Sequence, residues 1–309
     1  MGVTSNGSLK DEVRRRIGRV GVWIGGPAFT AVPAEVEHRA LARVEALGAY
    51  GSIWTGETPG RKEAFAHLAL WLGATEGVAV GSGIANVWAR QPEAMQGGAA
   101  TLAEAHPGRF ILGVGVGHRI QADQVGGDYG RPLDTFTRYL DRMDAEAEQS
   151  TVPAPPFARV VGAVGPRMLE LAAERTEGAH PYFVPVEHTA DARRRMGPEA
   201  LLIPEQSFLV DPSPETRAAY RQRLALGVSV PAYAANLRRF GFTDDDLTSP
   251  SDRLADAISV AGSPEMVVAR IQAHLDAGAD HVLVAPFADD LTTTVDQLER
   301  LAPALATLR

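Results

Sequence analysis

The 309-residue chain contains no cysteine, so a disulfide framework, a thiol nucleophile and a zinc–thiolate site are excluded. It has no apolar run long enough to span a bilayer, and its first residues are polar where a secretory signal would be apolar. A cytoplasmic location without a membrane partner is therefore expected. Neither Gly-x-Ser-x-Gly nor His-Glu-x-x-His occurs, and the eight histidines are too scattered to read as a metal site. Basic charge is in the minority. Thirty Lys and Arg against 38 Asp and Glu give a net charge of −8, which disfavours broad binding to nucleic acid or an anionic surface. The triplets Arg14-Arg15-Arg16 and Arg193-Arg194-Arg195 are short and read as solvated helix faces.

What remains is an ordinary globular composition, 45% hydrophobic and 22% charged, arranged as alternating strand-like and helix-like segments. Val20 to Ile24 reads as a buried strand stopped by Gly25-Gly26-Pro27. Ala34 to Leu47 follows as an amphipathic helix, with Val36, Leu41, Val44 and Leu47 apolar at helical spacing. Strands are expected at 52–55, 78–81 and 110–114, with helices over 62–72 and 92–103 between them. In the second half a helix over 132–148 leads into residues 150–156, too proline-rich for a helix or central strand. Further strands are expected at 159–163 and 182–184, from Leu201 and at 280–284, with helices from Gly165-Pro166 to Arg175 and from Pro264 to Ala277.

Eight apolar strands alternating with helices make the pattern of a closed α/β fold, the (β/α)8 TIM barrel, and a doubly wound open sheet is the alternative. Residues 19–309 are read as one domain, with a helical insertion over about 213–255 and a flexible N-terminal segment over 1–18.

The segment Phe110-Ile111-Leu112-Gly113-Val114-Gly115-Val116-Gly117 then stands out, because a strand ends in alternating glycines with His118 and Arg119 next. Glycines at the carboxyl end of a strand allow backbone angles and close approaches that a side chain blocks. A nicotinamide-binding turn needs G-x-G-x-x-G, and the sixth position is His118 counted from Gly113 and Ile120 counted from Gly115. Gly81-Ser82-Gly83 fails likewise, with Asn86 at its sixth position. In a barrel the functional loops follow the strands. Here they carry Gly25 and Gly26, Glu57 and Thr58, Ser82, Gly83 and Asn86, Gly115 and His118, Gly165 and Arg167, and His188. Few of these are nucleophiles, and several would let a flat ring lie against backbone, which suits redox chemistry carried by a cofactor.

The chain resembles the bacterial luciferase-like flavin and deazaflavin oxidoreductases over nearly its whole length. The resemblance rests on Leu47-Gly48-Ala49-Tyr50-Gly51-Ser52-Ile53-Trp54-Thr55-Gly56-Glu57, Val80-Gly81-Ser82-Gly83-Ile84 and Arg90-Gln91-Pro92. It continues through Gly108-Arg109-Phe110-Ile111-Leu112-Gly113-Val114-Gly115, Ala163-Val164-Gly165-Pro166-Arg167-Met168 and Ala277-Gly278-Ala279-Asp280-His281-Val282. Within the family, 181–189 and 237–246 resemble the branch that uses coenzyme F420.

The resemblance implies a third strand with a bulge and a non-proline cis peptide behind the cofactor's central ring, matched here by Gly83–Ile84. It implies a phosphate-binding turn at Val164, Gly165, Pro166 and Arg167, where a helix N-terminus offers unpaired N–H groups. Gly25, Ser82, Asn86, Gly115, Gly117 and His118 complete the expected cofactor site. Related deazaflavin enzymes commonly carry an acid followed by histidine after the second strand. This chain has Glu57-Thr58, so proton transfer is expected to fall to Glu57, His118 or another loop residue. Trp23, Trp54 and Trp88 are candidate flat walls for a substrate pocket. The implied activity is hydride transfer between F420 and a small organic substrate, by a homodimer. An FMN-dependent monooxygenase and a non-catalytic cofactor-binding protein are the alternatives.

Overall fold

In the computed structural model, residues 8–25 and 32–308 are described; residues 1–7, 26–31 and 309 lie outside this range, Gly26 and Pro27 among them. The strands are β1 (Val20–Trp23), β2 (Ser52–Thr55), β3 (Ala79–Ser82), β4 (Ala85–Asn86), β5 (Phe110–Gly115), β6 (Ala158–Gly162), β7 (Gly178–His180), β8 (Leu201–Leu202), β9 (Glu205–Val210), β10 (Ser259–Gly262) and β11 (Val282–Pro286). The helices are α1 (Leu9–Ile17), α2 (Ala34–Ala46), α3 (Ala64–Gly73), α4 (Pro92–Ala105), α5 (Arg119–Gln124), α6 (Pro132–Gln149), α7 (Pro166–Arg175) and α8 (Val186–Met196). They continue as α9 (Pro214–Val228), α10 (Pro231–Arg239), α11 (Asp244–Thr248), α12 (Asp252–Ile258), α13 (Pro264–Asp276) and α14 (Leu291–Leu305).

Every strand pairing is parallel, in the order β10-β9-β11-β1-β2-β3-β5-β6-β7-β8 with β4 beside β5. The path closes on itself at its last strand, because β8 and β9 are separated only by Ile203 and Pro204. Ile203 N donates to Ala179 O and Glu205 N to Pro181 O on one side, while Leu283 N donates to Pro204 O on the other. The sheet thus closes as a TIM barrel with helices outside. Higher up, β10 replaces β7 beside β9, pairing Ser259–Gly262 with Ser207–Val210.

Burial explains why the strands read as apolar runs: Ile53, Trp54, Val80, Leu112, Val160, Leu283 and Val284 are all almost fully enclosed, with the barrel interior on one side and helices on the other. The inward layer of Trp54, Ala79, Ile111, Ala158, Val160, Leu201, Ile203 and Leu283 also takes in Ile17. That contact corrects the expectation of flexibility for residues 8–18; residues 1–7 lie outside the described range. Ser8 caps α1 in a capping box with Asp11, Arg14 Nε bonds Asp280 Oδ1 at 2.8 Å, and Ile17 is fully buried beneath the strands. The helix plugs the amino-terminal end of the barrel.

Two further boundaries differ from the sequence reading. The sixth strand lies at Gly178–His180 and not at 182–184. Aromatic and branched residues favour strands in general, but here the ladder requires close approach: a Cβ on Gly178 would lie 2.0 Å from Leu201 O. The eighth strand runs over Val282–Pro286, two residues late. The open doubly wound alternative is ruled out by the closed ring. The segment read as an insertion holds α9 to α12, whose apolar faces gather Tyr220, Leu224, Leu237, Phe242, Leu254 and Ile258 with Phe183.

Candidate active site

The geometry is set where β3 stops at Ser82 and the chain resumes pairing at Ala85. The Gly83–Ile84 peptide between them is cis, at the bond the resemblance singled out. Thr55 O accepts from Gly83 N at 2.7 Å, Ile84 O accepts from Glu57 N at 3.1 Å, and Trp23 Nε1 donates to Gly83 O at 3.2 Å. The glycine run of β5 makes this bulge possible. A Cβ on Gly113 would lie 1.8 Å from Ser82 O, and one on Gly115 3.1 Å from the Ile84 side chain. These glycines therefore clear space for the bulge, and Ile84 is what the bulge presents.

Above it lies a cavity of about 500 Å³ at the carboxyl ends of the strands. Of the residues expected at the site, Gly25, Glu57, Gly83, Ile84, Gly117, His118, Val164 and Gly165 line it. Ser82, Asn86, Gly115, Pro166 and Arg167 do not. Ser82 is buried and donates to Gly113 O at 2.7 Å, stitching β3 to β5. Asn86 is also buried, accepting from Trp88 N and donating to Gln121 Oε1, so it ties two loops together. Arg167 is exposed on the second position of α7 with no ion pair among the described residues.

Glu57 corrects a second expectation. Its carboxylate is almost fully enclosed and receives Ala64 N at 3.2 Å, Asn86 N at 2.8 Å and both Nη atoms of Arg90. The four acceptor directions of a carboxylate are thereby occupied, which leaves no lone pair with which to carry a proton. Glu57 instead fixes the far side of the bulge through Asn86 N and Ile84 O.

His118 is different. It precedes α5, lines the cavity, and meets Tyr233 edge-on with centroids 5.2 Å apart. Burial lowers its pKa below the usual histidine value, so the ring is predominantly neutral at pH 7. A neutral imidazole both gives and takes a proton.

At the other end of the cavity, Gly165 caps α7 and Pro166 starts it, which leaves the first-turn N–H groups facing outward. His188 stands behind this turn, with Nε2 2.9 Å from Val164 O; since a carbonyl only accepts, Nε2 carries the hydrogen. Its pKa is lowered to about 4 by burial, so it holds the turn as a neutral ring.

The sequence reading did not single out Met168, Gln121, Tyr129, Tyr182 and Tyr233, all of which line the cavity, and gave His180 no assigned role. Of the three tryptophans, Trp23 reaches the cavity, Trp54 is fully buried beneath it, and Trp88 packs on Tyr129. Trp23, Tyr182 and Tyr233 separate this cavity from a second of about 340 Å³, walled also by Phe183, Tyr220 and Phe287. Phe183 holds φ at 60°, a rare angle for an aromatic residue, and stacks on Tyr233 at 5.3 Å. No group of histidine, aspartate and glutamate among the described residues has metal-site geometry, and no described helix is long and apolar enough to cross a membrane.

A family model described as luciferase-like monooxygenase matches residues 19–281. A 5,10-methylenetetrahydromethanopterin reductase of Methanolobus tindarius is 22% identical over 277 residues, covering 76% of this chain and 85% of that protein. Among solved structures, an F420-dependent secondary alcohol dehydrogenase bound to an F420–acetone adduct matches with a TM-score of 0.72 at 16% identity, covering 93% of this chain and 98% of that one. The FMN-bound oxygenating constituent of 3,6-diketocamphane monooxygenase from Pseudomonas putida gives 0.69 at 14% identity, over 94% and 98%. At these identities the structural likenesses establish the fold.

Proposed function

The chain belongs to the luciferase-like monooxygenase family, and from that premise we propose that it is an oxidoreductase passing a hydride between coenzyme F420 and a small organic substrate. The observation that carries the reading is the shape and chemistry of the larger cavity. Its floor is the backbone bulge with the Ile84 side chain, its wall holds a buried, unpartnered imidazole nitrogen on His180, and its far end is a helix N-terminus. A flat ring with hydrogen-bonding edges and an anionic tail matches those three features. The F420-dependent alcohol dehydrogenase neighbour supports F420 as the ring.

F420, when bound, supplies the hydride-exchanging carbon. The chain's own residues would do the rest. Gly83 and Ile84 support one face of the ring. The Val164–Gly165 turn, held from behind by His188, presents N–H groups to the phosphate, and Arg167 adds a positive charge beside them. His118 takes the proton from a substrate hydroxyl, or returns it to a carbonyl, according to direction. The aromatic second cavity offers its walls to the apolar body of the substrate, and Trp23, Tyr182 and Tyr233 define the boundary between the two.

Equilibrium titration with F420 and with FMN, followed by ring fluorescence, tests this reading. Saturable micromolar binding of F420, followed by F420 reduction with an alcohol from a panel of alcohols, ketones and enones, is the expected outcome. Binding of FMN without F420 would overturn it in favour of a second reading, an FMN-dependent monooxygenase, which the family description and the FMN-bound neighbour support. Tight F420 binding with no turnover across the panel would point to a cofactor-binding protein. We further propose a cytoplasmic homodimer, for which light scattering after size exclusion is the check.

A further inference from the structure

His180 ends β7 and is 2% exposed. Its Nδ1 lies 2.7 Å from the carbonyl oxygen of Ile203, and a carbonyl can only accept, so Nδ1 carries the hydrogen. Burial lowers its pKa to about 4, which keeps the ring neutral near pH 7 and leaves Nε2 as a bare lone pair. That nitrogen is buried, has no hydrogen-bond partner among the described residues, and belongs to a side chain that lines the larger cavity. It points toward the bulge: a Cβ placed on Gly83 would sit 3.2 Å from it. Neighbouring donors are already used, Trp23 Nε1 by Gly83 O and Trp54 Nε1 by Ser52 Oγ. Buried polar atoms are almost always paired, so a bare acceptor aimed into a cavity marks a place where a ligand's donor belongs.

We propose that His180 is the hydrogen-bond acceptor for a donor on the edge of the heterocycle lying against Gly83–Ile84, an imide N–H or a ring hydroxyl. This rests on the reading of the cavity as a flavin or deazaflavin site. The tautomer decides the chemistry. With its hydrogen committed to Ile203, Nε2 cannot donate to a ring carbonyl, so the ring must present a donor there. Oxidised FMN has one ring donor, the imide N–H; F420 has the same imide and adds a ring hydroxyl.

The test is a binding cycle. Dissociation constants of FMN, 3-methyl-FMN and F420 are measured for the wild type and for His180→Phe, with His180→Asn, whose amide can still donate to Ile203, used if the first variant does not fold. In parallel, ¹⁵N-histidine spectra of the wild type follow Nε2 on saturation. If the imide is the donor, the wild type binds FMN about five- to tenfold more tightly than 3-methyl-FMN, and the variant loses that preference. If the hydroxyl is the donor, methylation has no effect, and the variant weakens F420 by a similar factor while leaving FMN unchanged. Either pattern should come with a shift of the Nε2 resonance toward that of a hydrogen-bonded acceptor. Absence of coupling in both arms, or an unmoved Nε2 resonance in the saturated protein, overturns the proposal. If the wild type binds none of the three, the cofactor reading itself has failed, and that result is distinct from the others.

Discussion

The two ends of the barrel interior hold the same kind of residue in opposite states. Near the amino-terminal end, His281 Nδ1 donates to Gly18 O at 3.0 Å, its Nε2 accepts from Ser52 Oγ at 2.8 Å, and Ser52 Oγ in turn accepts from Trp54 Nε1 at 2.8 Å. Every hydrogen in that chain is used, and α1 seals it from below. Near the carboxyl end, His180 is equally buried and equally neutral, yet its Nε2 is unspent. Glycine clearances serve both ends, since a Cβ on Gly21 would lie 2.2 Å from Ser52 Oγ, but the cis Gly83–Ile84 bulge and the Phe183 backbone at φ 60° stand at the upper level. Polar groups at the lower end are arranged for stability, and those at the upper end are arranged for something not yet in place, as expected of barrel enzymes.

Acid should break both ends at once. His180, His188, His274 and His281 have pKa values lowered to between about 3 and about 4, while an unfolded histidine titrates near 6.5. Between those values the unfolded chain binds more protons than the folded one, so stability falls as pH falls. Glu205 opposes this, since burial raises its carboxyl pKa to about 7 and the native state holds its proton in that window. One group against four leaves the net sign unchanged. Urea unfolding at stepped pH should show stability declining steeply from about pH 6.5 to 4; a flat profile would contradict the buried neutral histidines.

Arg90→Ala leaves the enclosed Glu57 carboxylate without its bidentate partner and should cost about 3–5 kcal/mol in urea unfolding, with loss of cofactor binding because the bulge is no longer braced. Gly113→Ala forces a methyl against Ser82 O. It should cost about 1–3 kcal/mol and weaken ring binding at least tenfold, both readable in one fluorescence titration series. Ser52→Ala is the control at the other end. It leaves His281 Nε2 and Trp54 Nε1 unpaired and should lower stability by about 1–3 kcal/mol without moving the dissociation constant for F420. The smallest effect is expected from Arg167→Gln, a change at an exposed position. Stability should stay within about 0.5 kcal/mol, while F420 binding weakens and loses part of its salt dependence.

Much of the barrel was legible because its strands are buried on both faces and so read as unbroken apolar runs. The site was less so. Gly83–Ile84 and the Val164–Gly165 turn were found through the family's pattern, but Glu57 was misread because its partner Arg90 lies 33 positions away and only folding reveals the bidentate clamp. His180 was passed over because nothing local to Gly178-Ala179-His180 tells which nitrogen is bonded and which is bare. The misplaced sixth strand has the same cause. Tyr182 and Phe183 have strand-forming side chains, and tertiary contacts made them a cavity wall instead.

The most direct measurement is a crystal structure of the protein soaked or co-crystallised with F420. The expected density is a planar ring over Gly83–Ile84 with one edge within hydrogen-bond distance of His180 Nε2 and a phosphate at the N–H groups beginning α7. A ring bound in the smaller aromatic cavity, or none at all at saturating F420, would contradict the account.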